Sequence, residues 1–272
     1  LPGPEHSARD SFIPRRRCIA NASAGAHTNR WVCAGRVRLR YIVRANAKRF
    51  FGLRDADEAI ESDPGEADGD DEVVDGMYRD GFMCPLADEL MGATAETLAD
   101  RYQISRDEQD GFAVESQQRA EEAANQGRFA GEIVPVRVPS KKGDIIVDRD
   151  EHPRSGATVA GMARLKPVFR QDGTVHAGNS SGITDGASAM LIASASAVRK
   201  YGLRPAARIR GYAQAAVDPK IMGIGPVPAT QRLLSELGME LSDIDLVELN
   251  EAFAAQVLAC DRELHFDRDR LN

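Results

Sequence analysis

"LVELNEAFAAQVLA", residues 246–259, decides how the rest of the chain is read. It opens as a buried strand, is interrupted by the polar pair Asn250 and Glu251, and resumes as an alanine-rich run with helical spacing. A strand that turns directly into a helix is the repeating corner of α/β proteins, whose ligands sit beyond the carboxyl ends of the strands. Asn250 stands at that corner. Two roles are open to it. Asn is a good N-cap for a helix starting near Ala252, and its uncharged amide, both donor and acceptor, can also hold a water or a substrate carbonyl through a reaction.

Working back from the corner, strand and helix alternate. "DLVEL", 245–249, reads as a strand, and "PATQRLLSELG", 228–238, as a helix with Pro near its start and Gly at its stop. "ARIRGYA", 207–213, and "AMLIA", 189–193, are read as buried strands, with "SASAVRKYG" between them as a helix ended by Gly202. "GNSSGITDGAS", 178–188, is too rich in Gly, Ser and Asn for an element interior and forms a tight loop that backbone can approach closely. It contains no GxGxxG or GxxxxGK[ST], so a nucleotide phosphate cradle is not supported. "MGIGP", 222–226, places Met222 in a second glycine-rich loop suited to contact with a ligand.

Further upstream, order begins near Val73. "TAETLADRY", 94–102, forms a short helix, and Ser105 with Glu108 makes a capping box for the next one. Phe112, Ala113, Ser116, Ala120, Ala123 and Ala124 lie on one face of that helix, and Gly127 stops it. "EIVPVRV", 132–138, and "IIV", 145–147, pair as a hairpin across "KKGD". Arg154, in "HPRSG", can pair with a phosphate or stand solvated on the surface.

The 272 residues, 42% hydrophobic, supply one large or two ordinary domains. A net charge of −7 argues against nucleic acid as a partner. The charge is unevenly spread: residues 1–50 carry ten Arg and one Lys against Glu5 and Asp10, whereas residues 55–75 hold eleven acids and no base. Residues 1–72 therefore read as a poorly folding segment ending in a solvated acidic linker, "SDPGEADGDDE", 62–72. The four cysteines lack CxxC spacing, so no metal site or disulfide framework is expected. No apolar run reaches the roughly 20 residues of a membrane helix, and no secretory leader is evident. A soluble, cytoplasmic protein is the expectation.

Six strings taken together carry a resemblance: "MGATAETLADRYQISRDEQDGFAVESQQRA", "GRFAGEIVPV", "RLKPVF", "GNSSGITDGASAMLIAS", "DPKIMGIGPVPAT" and "LVELNEAFAAQ". In this order, over about residues 73–272, the chain resembles the thiolases, the acyl-CoA C-acyltransferases. The resemblance implies a layered α-β-α-β-α fold, α/β in class, with an inserted loop domain that grips coenzyme A. Residues 73–183 are expected to be that loop domain, 184–208 the end of the first core domain and 209–272 the start of the second. By similarity the coenzyme A surface includes Met91, Arg154, Val168, Phe169, Ala177, Ser181, Ile183, Met222, Ala252 and Phe253, with Ser181 on the pantetheine arm and Arg154 near the nucleotide end. Asn250 is expected to be catalytic, fixing a water that completes an oxyanion hole with a histidine. The implied partners are acyl-CoA and coenzyme A as substrates, with no separate cofactor and no metal, and a second or fourth copy of the chain.

Thiolase chemistry is Claisen condensation or its reverse, in which one cysteine takes the acyl group and a second moves protons. The family's nucleophile opens a helix in the N-terminal core domain, which residues 1–72 do not reproduce. Cys33, followed by Ala34 and Gly35, is a faint echo of it. Segments corresponding to the family's Gly-His-Pro histidine and late Cys-Gly-Gly cysteine do not occur before Asn272, and Cys260 and His265 match neither. The resemblance thus implies an incomplete thiolase with an altered N-terminal segment. It leaves open acyl transfer, coenzyme A binding without chemistry, or a truncation product without function.

Overall fold

The computed structural model of the chain describes residues 18–21, 75–184 and 186–272. Strand β1 (Cys18–Asn21) is followed, after an irregular turn at Tyr78–Phe82, by the two-residue strands β2 (Met83–Cys84) and β3 (Glu89–Leu90). Helices α1 (Met91–Arg101) and α2 (Arg106–Asn125) come next, then the antiparallel pair β4 (Val136–Val138) and β5 (Ile145–Val147). Helices α3 (Val159–Met162) and α4 (Ala195–Tyr201), a 3-10 turn at Pro219–Ile224 and α5 (Pro226–Leu237) lead to β6 (Leu246–Leu249) and α6 (Ala254–Leu264).

Strand β6 organises the core. It pairs in parallel with β1 from Cys18 opposite Leu246 to Asn21 opposite Leu249, and residues 270–272 run along it in parallel too, with Val247 N–H on Arg270 O and Asn272 N–H on Val247 O, each at 2.8 Å. Val247 and Leu249 point into a cluster shared with Leu98, Ile224, Val227, Leu234, Val257 and Cys260. Burying such aliphatic side chains is worth about 1.5–3 kcal/mol apiece, which makes this cluster the main stabilising mass. Ala254, Ala255 and Ala259 are buried along α6, and their small side chains let the helix close on α1 and the 3-10 turn.

Several expectations are met by the coordinates. The Ser105–Glu108 capping box forms with both hydrogen bonds, Glu108 N–H to the Ser105 hydroxyl at 3.2 Å and Ser105 N–H to the Glu108 carboxylate at 2.7 Å. Gly202 and Gly238 end their helices in the left-handed region, at φ 59° and 61°, where a side chain is strained.

Others are corrected. Residues 189–193 and 207–213 form no strand: no described segment offers them a ladder, and Leu191, Ile192 and Tyr212 remain 78, 73 and 81% exposed. The most buried positions of α2 are Gln109, Asp110, Ala113 and Val114, while Ala124 is exposed. Met222 lies in a 3-10 turn, not an open loop. Within 1–72, only residues 18–21 are described, as strand β1 paired with β6; the rest of that segment, including Cys33 and the acidic run 62–72, lies outside the described residues. No helix among the described residues is long and apolar enough to cross a membrane.

Candidate functional site at the end of strand β6

The corner after β6 differs from the expectation in one decisive way. Helix α6 begins at Ala254 with Phe253 as its N-cap residue, so Asn250 lies too early to cap it. Its amide is exposed beyond the carboxyl end of the strand. The first N–H of α6, on Ala254, is instead satisfied by the Asn179 carbonyl at 2.9 Å, a backbone cap contributed by the glycine-rich loop. Ser181 N–H donates to Ala252 O at 3.0 Å, and Ser180 faces Phe253 across an antiparallel bridge. The loop of 178–183 is thus stitched by its backbone to the three residues following Asn250 and Glu251.

A third segment arrives through Phe169, whose ring meets Phe253 edge-on at 6.1 Å between centroids and 86° between planes. Gly92 at the start of α1 lies directly against the Phe169 ring, where a Cβ would collide with it. This brings Phe169, Ser181, Ala252 and Phe253 to the corner that carries Asn250, with Met91 next to Gly92 in the sequence. Met222 belongs to the 3-10 turn, which packs on both α1 and α6. Val168, Ala177 and Ile183 are exposed on the flanking loops. Arg154 is anchored elsewhere, its N–H on the Gln117 side chain at 2.8 Å and its guanidinium on Glu151 O at 2.9 Å. That loop reaches the corner only through His152, whose Nε2 lies 3.3 Å from the Thr184 hydroxyl.

Beneath the corner, Glu251 is largely removed from solvent. Burial raises its carboxyl above the ordinary carboxylate value, opposed by a hydrogen bond from the Ser116 hydroxyl and by the charge of Arg119. Cys260, in the middle of α6, is buried with its thiol on Gly223 O at 3.3 Å, and burial pushes that thiol up to about 12. Cys84 is also buried. Neither has the exposed, electropositive setting that makes a thiolate nucleophile. No group of three or more His, Cys, Asp or Glu side chains able to hold a metal occurs among the described residues.

Sequence reasoning overlooked the groups that hold the loop. The Glu96 carboxylate, 2% exposed, accepts from Thr174 N–H and Val175 N–H at 2.9 Å and from the Thr174 hydroxyl at 3.0 Å. Asp110, His176 and Asn179 form a second buried group beside it. The available signal was Gln109 and Asp110 in register with Ala113 and Val114, polar residues on the inner face of a helix, where burial demands a partner.

Comparison with known proteins agrees with this architecture. The thiolase N-terminal domain family matches residues 52–196 and the thiolase C-terminal domain family residues 203–272. The acetyl-CoA acetyltransferase of Paracoccus denitrificans is 48% identical over 209 residues, covering 77% of this chain and 54% of that protein. Among solved structures, the Bacillus anthracis acetyl-CoA acetyltransferase superposes with a TM-score of 0.72 at 42% identity, covering 77% of this chain and 53% of that one. Human mitochondrial 3-ketoacyl-CoA thiolase in complex with CoA gives 0.69 at 44% identity, covering 76% and 51%. The chain spans about half the length of the curated relatives it matches. With two successive thiolase domain families along the sequence and the thiolase α/β fold over three-quarters of it, the chain belongs to the thiolase family.

Proposed function

We propose that this chain takes part in thiolase-type C-acyl transfer, condensing acetyl-CoA or cleaving a 3-ketoacyl-CoA by thiolysis, with the corner after β6 as its share of the site. The observation that carries the reading is the backbone stitch of Ser181 to Ala252 and Asn179 to Ala254, which sets an exposed Asn250 amide beside a surface assembled from four separate segments. Relatives named acetyl-CoA acetyltransferase and a solved thiolase holding CoA support coenzyme A as the ligand. In this reading residues 73–183 are the loop domain that grips the carrier, 184–208 complete the first core domain and 209–272 open the second. Met91, Phe169, Met222 and Phe253 give the pantetheine arm apolar contact, Ser181 offers its hydroxyl, Val168, Ala177, Ile183 and Ala252 complete that surface, and Arg154, on a separate loop, serves the nucleotide end. Asn250 orients a water toward the thioester oxygen, where a preorganised dipole opposes the enolate charge that develops in the transition state. Assembly as a homodimer or homotetramer belongs to the same proposal.

A second reading, coenzyme A binding without chemistry, is favoured by one observation: Cys84 and Cys260 are both buried. The nucleophilic thiolate and the acid/base cysteine of C-acyl transfer then have to be cysteines other than these two. Titration calorimetry with coenzyme A tests the binding claim shared by both readings, and a flat titration sinks both. Thiolysis of a 3-ketoacyl-CoA by the full chain, lost on Asn250→Ala, supports the first; binding with no turnover selects the second.

A further inference from the structure

Two buried carboxylates hold the loop that docks on the corner, and Asp110 is the one that reaches the residues nearest the docking contacts. Asp110 of α2 is 1% exposed, His176 0% and Asn179 3%. One Asp110 oxygen accepts from His176 Nε2 at 2.7 Å and from the Asn179 amide at 3.1 Å, while its other oxygen accepts from Arg106 Nε at 3.2 Å. His176 Nδ1 accepts from Gly178 N–H at 3.0 Å, which fixes the tautomer that carries its proton on Nε2, facing Asp110. The Asn179 side chain also accepts from His176 N–H at 2.8 Å and donates to Thr174 O at 3.0 Å, and the Ser180 hydroxyl donates to His176 O at 2.8 Å. Every side chain of the triad therefore has a partner, and apart from Arg106 and Asp110 itself those partners belong to residues 174–180.

Removing a carboxylate from water is costly before its partners compensate, and an apolar side chain would fill the same space without that cost. What the charge provides here is direction. It aligns two donors that sit three residues apart, and those donors set the path of the chain just before Asn179 O meets Ala254 N–H and Ser181 N–H meets Ala252 O. Arg106 fixes the carboxylate in turn, its guanidinium also bonded to Met162 O and Leu165 O at 3.0 and 2.7 Å. The chain of contacts runs unbroken from α2 to the residues next to Asn250.

We propose that Asp110 is a positioning residue for the coenzyme A surface, acting through His176 and Asn179 to present Ser181 to the Ala252–Phe253 edge; this rests on the coenzyme A reading above. Amide hydrogen exchange on the full chain, combined with coenzyme A titration, tests it. In Asp110→Asn, exchange at Ser181 and Ala254 should speed by more than about tenfold while Leu258 and Ala259 within α6 keep their protection, because only the loop opens. The dissociation constant for coenzyme A should rise in parallel. Should that variant fail to fold, His176→Ala and His176→Gln carry the test: glutamine can restore a donor toward Asp110, so it should recover protection at Ser181 and Ala254 that alanine loses. Unchanged exchange at both amides, a uniform loss of protection through α6, or equal loss in the two His176 variants overturns the proposal. If the unaltered chain binds no coenzyme A, the coenzyme A reading fails, while the exchange data still decide whether Asp110 positions the loop.

Discussion

The Ser116 hydroxyl donates a 2.7 Å hydrogen bond to the Glu251 carboxylate, tying the middle of α2 to the residue that follows Asn250, 135 positions away in sequence. Burial raises the Glu251 carboxyl despite that bond and despite Arg119, and burial likewise raises the half-buried Glu248 two residues into the strand end. A carboxyl whose folded value lies above its unfolded one binds more protons when folded, so it lowers stability as pH rises through that interval. Glu251→Gln keeps an acceptor for Ser116 and removes the ionisation. Its thermal midpoint should therefore exceed that of the parent chain at pH 7.5, with the gap narrowing as pH falls toward the ordinary carboxylate range. A gap that is constant with pH would show that Glu251 ionises as freely folded as unfolded.

Asn250 gives a sharper separation. Because α6 starts at Ala254 and its first N–H is held by Asn179 O, Asn250 contributes no cap. Asn250→Ala should change folding stability by less than about 0.5 kcal/mol in urea denaturation, against the roughly 1 kcal/mol that a lost cap costs. Any C-acyl transfer by this site should fall by about a hundredfold or more, the scale of removing one oxyanion donor. A stability loss of the capping size with unchanged turnover would reverse the assignment.

Local chemistry was legible in the sequence where neighbours along the chain decide the structure. The Ser105 capping box and the Gly202 and Gly238 stops depend on residues within a few positions of each other, and the β4–β5 hairpin on residues 7 to 11 positions apart. The strands at 189–193 and 207–213 were misread because a strand is completed by a partner, and hydrophobicity along one segment carries no information about whether that partner is there. The site shows the same division. The glycine-rich loop and the polar corner were visible as loop and corner. Their junction depends on Glu96 and Asp110, buried charges that a composition-based reading places on the surface.

Close approach at Gly92 predicts a coupling. A methyl group there enters the Phe169 ring, which in turn packs on Phe253. Gly92→Ala should destabilise by about 1–3 kcal/mol through overpacking, in spite of the better helix propensity of alanine. In a Phe169→Ala background the same substitution should be neutral or stabilising, since the obstructing ring is gone. A double-mutant cycle in urea measures this, and additive effects would mean that Phe169 swings aside without consequence. In the single variant, loss of the Phe169–Phe253 edge contact should also weaken coenzyme A binding.

Cys260 lies only ten residues beyond Asn250, so its reactivity bears directly on which cysteines could serve C-acyl transfer. Its side chain is fully enclosed among α1, α6 and the 3-10 turn, donating to Gly223 O, and burial pushes the thiol up to about 12. The thiolate is the reactive species, and at pH 8 almost none of it forms at such a value. Access is closed as well, so modification has to wait for opening of the core that α6 shares with Leu98 and Val247. Alkylation of the full chain at pH 8, read peptide by peptide by mass spectrometry, should therefore leave Cys260 unmodified in the folded state. On titration with urea its labelling should follow the unfolding transition. Raising the pH should also reduce stability through this group, since the folded thiol holds its proton after the unfolded one has released it. Fast labelling of Cys260 without denaturant would place a reactive thiolate beside Asn250 and put this residue back among the candidates for the acyl-accepting cysteine.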